Sequence, residues 1–159
     1  EENRIVIDIP ARRIWMREVE IQMSATQLAT YIFILHQSCC THHGGLVKAG
    51  QHHPLSDKDV QRLGSTYHAI CNLFRDTPIT DERSYLEDVP NIRGYIARIR
   101  TAIAHHIDDQ DIQFYTPQDT SDKSRYYIAI DPTKITLRLS SGEIPFMDYP
   151  LWKTLASKH

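Results

Sequence analysis

"NIRGYIARIRTAIAHHI", residues 91–107, returns an isoleucine at every third or fourth position. Ile92, Ile96, Ile99, Ile103 and Ile107 fall within one narrow arc of a helix, which assigns that arc to a core. Arg93 and Arg100 flank the arc on one side and Arg98 on the other, with Gly94, Ala97, Thr101 and His105 on the outward face between them. Small residues at the centre of an exposed face and guanidinium forks at its edges suit a groove of a nucleic acid, where arginine reaches phosphates or guanine edges. The same letters suit a solvated face whose arginines pair with nearby carboxylates or with a partner domain. Both readings stand at this point.

Immediately upstream, Pro90 is expected in the first turn of this helix and Asp88 as its cap, with one short helical turn inside "ITDERSYLEDVP" (79–90). Before that, Ser56 and Asp59 open another helix, and Val60, Leu63, Tyr67, Ile70 and Phe74 repeat at helical spacing until "RDTP". Gly64 lies inside it and weakens it by roughly 1 kcal/mol relative to Ala. The first helix is "ATQLATYIFILHQ", capped by Ser24 with Gln27 as the other half of a capping box, Met23 stapling against Leu28, and Leu28, Ile32 and Leu35 on the inner stripe.

The N-terminal stretch "RIVIDIPARRIWMREVEIQMS" alternates Ile5, Ile7, Ile9, then Ile14 and Met16, then Val19, Ile21, Met23. Turns fall near Pro10 to Arg12 and at Arg17-Glu18, so half-buried antiparallel strands are expected. Downstream of Ile107, "DDQD" breaks the helix, and Ile112 to Thr116 is expected as a strand. "PQDTSDKS" then makes an exposed tip, and "RYYIAID" returns with Tyr126, Ile128 and Ile130 on one face, which makes a hairpin. "KITLRL" adds a strand, and 141–159 reads as a tail packed on the domain by Phe146, Tyr149 and Trp152.

The fold class expected is α+β: a winged helix-turn-helix with N-terminal antiparallel strands, three main helices and a C-terminal β-hairpin wing. It occupies residues 1–140, with the loop 38–55 inserted between the first and second helices. "RRIWMREVEIQMSATQLATYIFIL" resembles the opening of winged-helix effector domains of the OmpR/PhoB type. "IVIDIPARRIWMREVEIQMSATQLATYIFILHQ", "IARIRTAIAHHI" and "RYYIAIDPTKITL" resemble the C-terminal winged-helix-like region of the CARF-domain CRISPR-associated ring-nuclease family of type III systems. That resemblance implies a non-catalytic domain of a CRISPR-associated sensor protein that binds DNA or RNA or supports contact with an upstream domain or a second copy. The OmpR/PhoB likeness implies instead a transcription regulator's DNA-binding domain. The ring-nuclease family's sensing and cleaving chemistry belongs to a Rossmann-like domain, and no strand-helix series with a phosphate-cradling glycine loop is present here, so no ring-opening residue carries over.

Candidate nucleic-acid contacts are therefore Arg93, Arg98 and Arg100 on the helix and Lys123 and Arg125 at the hairpin tip, where Asp119 and Asp122 cancel much of the charge. Tyr126 and Tyr127 point to opposite faces, so at most one offers a platform for a base. With 18 basic against 20 acidic residues, the net charge of -2 supplies no general pull toward phosphates, and any such contact must be local. "CCTHHGGLVKAGQHH" gathers Cys39, Cys40, His42, His43, His52 and His53, all of zinc-binding types. Adjacent pairs diverge, and no C-x-x-C or H-x-x-x-H spacing is present, so a plain polar loop is expected and no metal or other cofactor is assigned. Cys71 is expected to be buried as a small apolar side chain. Asp108 and Asp109 diverge as neighbours, and no Gly-flanked nucleophile elbow occurs, so no catalytic residue is assigned. Three cysteines without a framework spacing fit a reducing, cytoplasmic setting, and "YIFIL" is far short of the roughly 20 residues of a membrane span. The start at "EENRIVID", directly in a strand pattern, is expected of a fragment or a processed chain.

Overall fold

The computed structural model describes residues 2–50, 54–79, 83–108 and 110–158, so His52, His53 and Asp109 lie outside the described residues. The architecture is mixed α+β, with four α-helices and two sheets among the described residues. The chain opens with three short strands, β1 (Ile5–Asp8), β2 (Arg13–Met16) and β3 (Val19–Ile21), paired antiparallel in sequence order. Their alternation buries Ile5, Ile7, Ile14, Met16 and Ile21, whereas Val19, expected on the same face as Ile21, is 38% exposed at the start of β3.

Helix α1 (Ala25–Cys39) follows, and its start is the anticipated capping box. Ser24 Oγ accepts the Gln27 amide at 3.2 Å, and the Ser24 amide donates to Gln27 Oε1 at 3.1 Å. Ser24→Ala is expected to cost about 1 kcal/mol, read as a lower denaturant midpoint at unchanged m-value. The inner stripe of α1 is wider than Leu28, Ile32 and Leu35: every residue from Leu28 to Gln37 is buried. This helix is the central post of the domain and is covered on all sides.

Strand β4 (Leu46–Val47) leads into helix α2 (Asp57–Asn72), where Ser56 Oγ accepts the Asp59 amide at 3.2 Å. Helix α3 (Tyr85–Ala104) then places Ile92, Ile96, Ile99 and Ile103 in the core, with Ile107 just beyond its end also buried. Its beginning differs from the sequence expectation. Ser84 is the cap and accepts the Leu86 amide at 3.2 Å, while Pro90 sits inside the helix. Pro90 removes one donor, and the carbonyl it would have served belongs to Leu86, a 52% exposed residue. Asp88 is no cap: it is buried at 3% exposure and held by Arg83 at 2.8 Å and His68 at 3.0 Å. The expected separate turn in 79–90 is therefore partly the first turn of α3. Gly64 now has a packing reason, since a Cβ there would stand 3.3 Å from Tyr85 Cβ, and its absence lets α2 and α3 approach.

The stretch from Ile112 is a 3-10 turn (Ile112–Phe114), not a strand. Tyr115 closes it: its carbonyl accepts the buried Tyr31 hydroxyl at 2.6 Å, and its own hydroxyl donates to Asn3 at 3.0 Å. Satisfying these buried groups fixes a tight turn where β-propensity alone suggests extension. Strands β5 (Gln118–Asp119) and β6 (Arg125–Tyr127) double back antiparallel, and β6 also pairs with β4, giving the order β4-β6-β5. Gly45 is required at this junction: its φ is +141°, and a Cβ would fall 2.3 Å from the Tyr126 carbonyl oxygen.

Strand β7 (Ile135–Leu139) returns to lie parallel to β1, and β8 (Gly142–Pro145) pairs with it, completing the sheet β3-β2-β1-β7-β8. Helix α4 (Pro150–Ser157) ends the described chain. The segment read as a tail is thus a strand and a helix, anchored by buried Phe146 and Trp152 with the half-buried Tyr149 edge-on to Trp152 at 5.2 Å. No helix among the described residues is long and apolar enough to cross a membrane.

Candidate nucleic-acid interface

Helix α3 buries its isoleucine stripe, so its opposite side is outward by geometry. Ala97, Arg98, Thr101, Ala104 and His105 are exposed there. Arg93 and Arg100 are seven residues apart and therefore stand on the same edge, the one beside β4 and β5. A guanidinium nitrogen of Arg93 donates to the Ala49 carbonyl, and Arg100 Nε donates to the Pro117 carbonyl at 2.9 Å. Each group retains further N–H donors after these bonds.

The edge is completed by Lys48. Its Nζ lies 2.7 Å from Asp119 Oδ1 and 4.5 Å from the centre of the Tyr126 ring. Arg100 approaches the same two groups, at 3.7 Å from Asp119 and 5.9 Å from the ring centre. Lys123, whose side chain is 75% exposed at the tip, reaches Asp119 at 4.0 Å. One carboxylate is therefore shared by three cations. The hydrogen bond from Lys48 holds Asp119 below its ordinary pKa, against the opposing effect of burial. Asp122 is held well below the usual carboxylate range by the hydroxyl and amide of Ser124. Both stay ionised at neutral pH, and on this edge Lys48, Arg93, Arg100 and Lys123 outnumber them by two. A chain of net charge -2 thus carries a locally positive strip along α3 and the hairpin.

The five sequence candidates are not all brought together. Arg93, Arg100 and Lys123 converge around Asp119. Arg98 stands apart on the other edge of the outward face, with no hydrogen bond or ion pair to any described residue. Arg125 is opposite Val47 in the β4-β6 register, whereas Tyr126 is opposite Leu46 and Asp119, so Arg125 belongs to the other face of this sheet. Its Nη1 donates to Ser124 Oγ at 3.0 Å, and its buried Nε has no partner among the described residues. Tyr126 is the tyrosine that meets the cations, half-buried under Lys48. Lys48 was missed in sequence because it lies in a stretch without periodicity; the only hint is the pair of β-formers Leu46-Val47 just before it.

The cysteine-histidine stretch builds a different environment. His42 and His43 stack with ring centres 4.3 Å apart, and no group of three or more potential metal ligands is gathered among the described residues. Burial pushes the Cys39 thiol up to about 11 and the Cys40 thiol up to about 12, so neither supplies a thiolate at neutral pH. Cys71 is buried as expected. No protein-family model, curated protein or solved structure matches the chain.

Proposed function

We propose that this chain is a winged-helix domain that binds a nucleic-acid duplex, with α3 facing the groove and the β5–β6 hairpin as a wing beside it. The observation that carries the reading is the strand order β4-β6-β5: β4 lies between α1 and α2, and the hairpin after α3 returns to pair with it. That pairing anchors the hairpin next to the outward edge of α3, so helix and tip can touch one backbone together. The exposed guanidinium of Arg98, the free donors of Arg93 and Arg100, and the ammonium of Lys123 are the phosphate contacts. Local sequence likeness to the C-terminal region of CARF-domain ring-nuclease proteins supports placing the domain in a CRISPR-associated sensor.

The test is fluorescence anisotropy with a labelled duplex DNA across a salt series. Binding at low salt should weaken linearly in log-log form, and Arg98→Glu and Lys123→Glu should each reduce the slope by about one. Absence of binding at low salt, or full affinity in both variants, overturns the reading. A second reading is favoured by one observation: Arg93 and Arg100 both donate to backbone carbonyls and Asp119 offsets three cations, an arrangement that also suits a structural seam. In that case the domain is an interaction module, and sedimentation should show self-association that Leu86→Lys, at the exposed start of α3, weakens.

A further inference from the structure

The end of α1, the turn after it, α2 and α4 line a half-open cavity of about 300 Å³. That volume is at the lower end of small-molecule sites. Its polar wall is an ordered chain of side chains. Asp59 Oδ1 accepts from Arg62 Nη2 at 3.4 Å, and Arg62 Nη1 donates to Gln37 Oε1 at 3.3 Å. With its oxygen committed to Arg62, Gln37 turns its Nε2 toward His36 Nδ1, 3.0 Å away. Nδ1 must then accept, so the neutral imidazole carries its proton on Nε2.

His36 is 5% exposed, and burial with the Arg62 charge lowers its pKa to about 4, so the neutral form is the one present at pH 7. Its Nε2–H makes no hydrogen bond with any described residue, yet it is not among the atoms sealed in protein without a partner, which leaves the cavity as its outlet. The Arg62 side chain is 13% exposed, and no carboxylate among the described residues lines the cavity. His43 is lowered chiefly by burial, then by the Arg62 charge, with Asp59 acting in the opposite direction. Two donors thus face inward on one side. The other side is apolar, formed by the Trp152 ring, packed on His36 at 4.7 Å between ring centres, and by Leu155.

We propose that this cavity is a binding site for a small organic carboxylate with an apolar body, its carboxylate on Arg62 and His36 Nε2–H and its body on Trp152 and Leu155. The donors match the two carboxylate oxygens, and the guanidinium of Arg62 has further N–H donors for a carboxylate beside its contacts with Asp59 and Gln37. The site rests on residues separate from the nucleic-acid edge and stands or falls independently of it.

Trp152 reports occupancy directly. The chain has two tryptophans, so Trp15→Phe leaves Trp152 as the single tryptophan. In that background, 1-naphthoate should change Trp152 emission saturably and bind at least about tenfold tighter than neutral 1-naphthamide, the difference one charge-assisted contact supplies. Arg62→Gln should abolish that preference. Ala156 lines the cavity but is itself exposed, so Ala156→Phe should block both ligands without disturbing the core. The proposal is overturned if naphthoate gives no saturable change, if the amide binds equally well, or if folded Ala156→Phe protein binds naphthoate as before.

Discussion

Phe33→Ala is expected to lower stability by about 3–5 kcal/mol, a large share of the roughly 5–15 kcal/mol that holds a domain together. Phe33 is fully buried at the centre of α1. Its ring centre lies 5.1 Å from that of Tyr67 on α2 and 6.1 Å from that of Tyr85 on α3, and those two rings stand 6.4 Å apart in an edge arrangement. One side chain therefore touches all three long helices at once, and its loss removes apolar burial, leaves a void, and breaks two aromatic contacts. The void cannot collapse easily. Tyr67 is tethered through its hydroxyl to Thr30 at 3.2 Å, and Tyr85 is pressed against Gly64. Urea unfolding of the variant should show a much lower midpoint at unchanged slope, while Leu86→Ala, at a 52% exposed position, should remain within about 0.5 kcal/mol of the parent. A Phe33→Ala loss below about 1 kcal/mol would mean that the three helices do not share this core.

The local signals in the chain were legible where a short-range physical cause acts. Period-two alternation located β1, β2 and β3, the Ser24-Gln27 pair located the start of α1, and the isoleucines from Ile92 located the buried side of α3. The start of α3 was placed too late because Asp88 is of a capping residue type and Pro90 is tolerated in a first turn. Tertiary charge decided it: Asp88 is drawn inward by Arg83 and His68, and only Ser84 remains at the surface to cap. The parallel pairing of β1 with β7 joins residues about 130 positions apart, for which no local pattern exists. Asp119 was foreseen as a brake on the hairpin charge, but its sharing by Lys48, Arg100 and Lys123 depends on three separate segments meeting. Arg125 departs from the other candidates for the simplest reason: in a strand, one position of register puts a side chain on the other face.

His36 should make the domain progressively less stable between pH 6.5 and about 4, by about 3 kcal/mol across the interval. The sign follows from where the proton binds. In the folded chain the imidazole is removed from water and lies near Arg62, so its pKa falls from the ordinary 6.5 to about 4. Above pH 6.5 both folded and unfolded forms are neutral, and His36 contributes no pH dependence. As pH falls below 6.5 the unfolded chain takes up a proton that the folded chain refuses, and stability drops until the folded imidazole also protonates near 4. The half-buried His43, lowered mainly by burial, adds to the same slope in the same direction. The carboxylates of Asp119, Asp122 and Asp131 are lowered too, but stability lost through them appears only as pH approaches and passes below their ordinary value of 3.8. Glu2, lowered from 4.5 by Lys134, enters only at the bottom of the interval, so most of the slope above it belongs to the histidines. His36→Gln keeps an oxygen to accept from Gln37 and removes the titration, so its urea midpoint should change far less between pH 6.5 and 4.5 than that of the parent. If the parent midpoint is flat over this range, or if the variant retains the full slope, His36 is not the neutral, buried donor that the carboxylate site requires. A saturating ligand of that site should raise the midpoint at every pH in the interval, because it binds the folded chain and not the unfolded one.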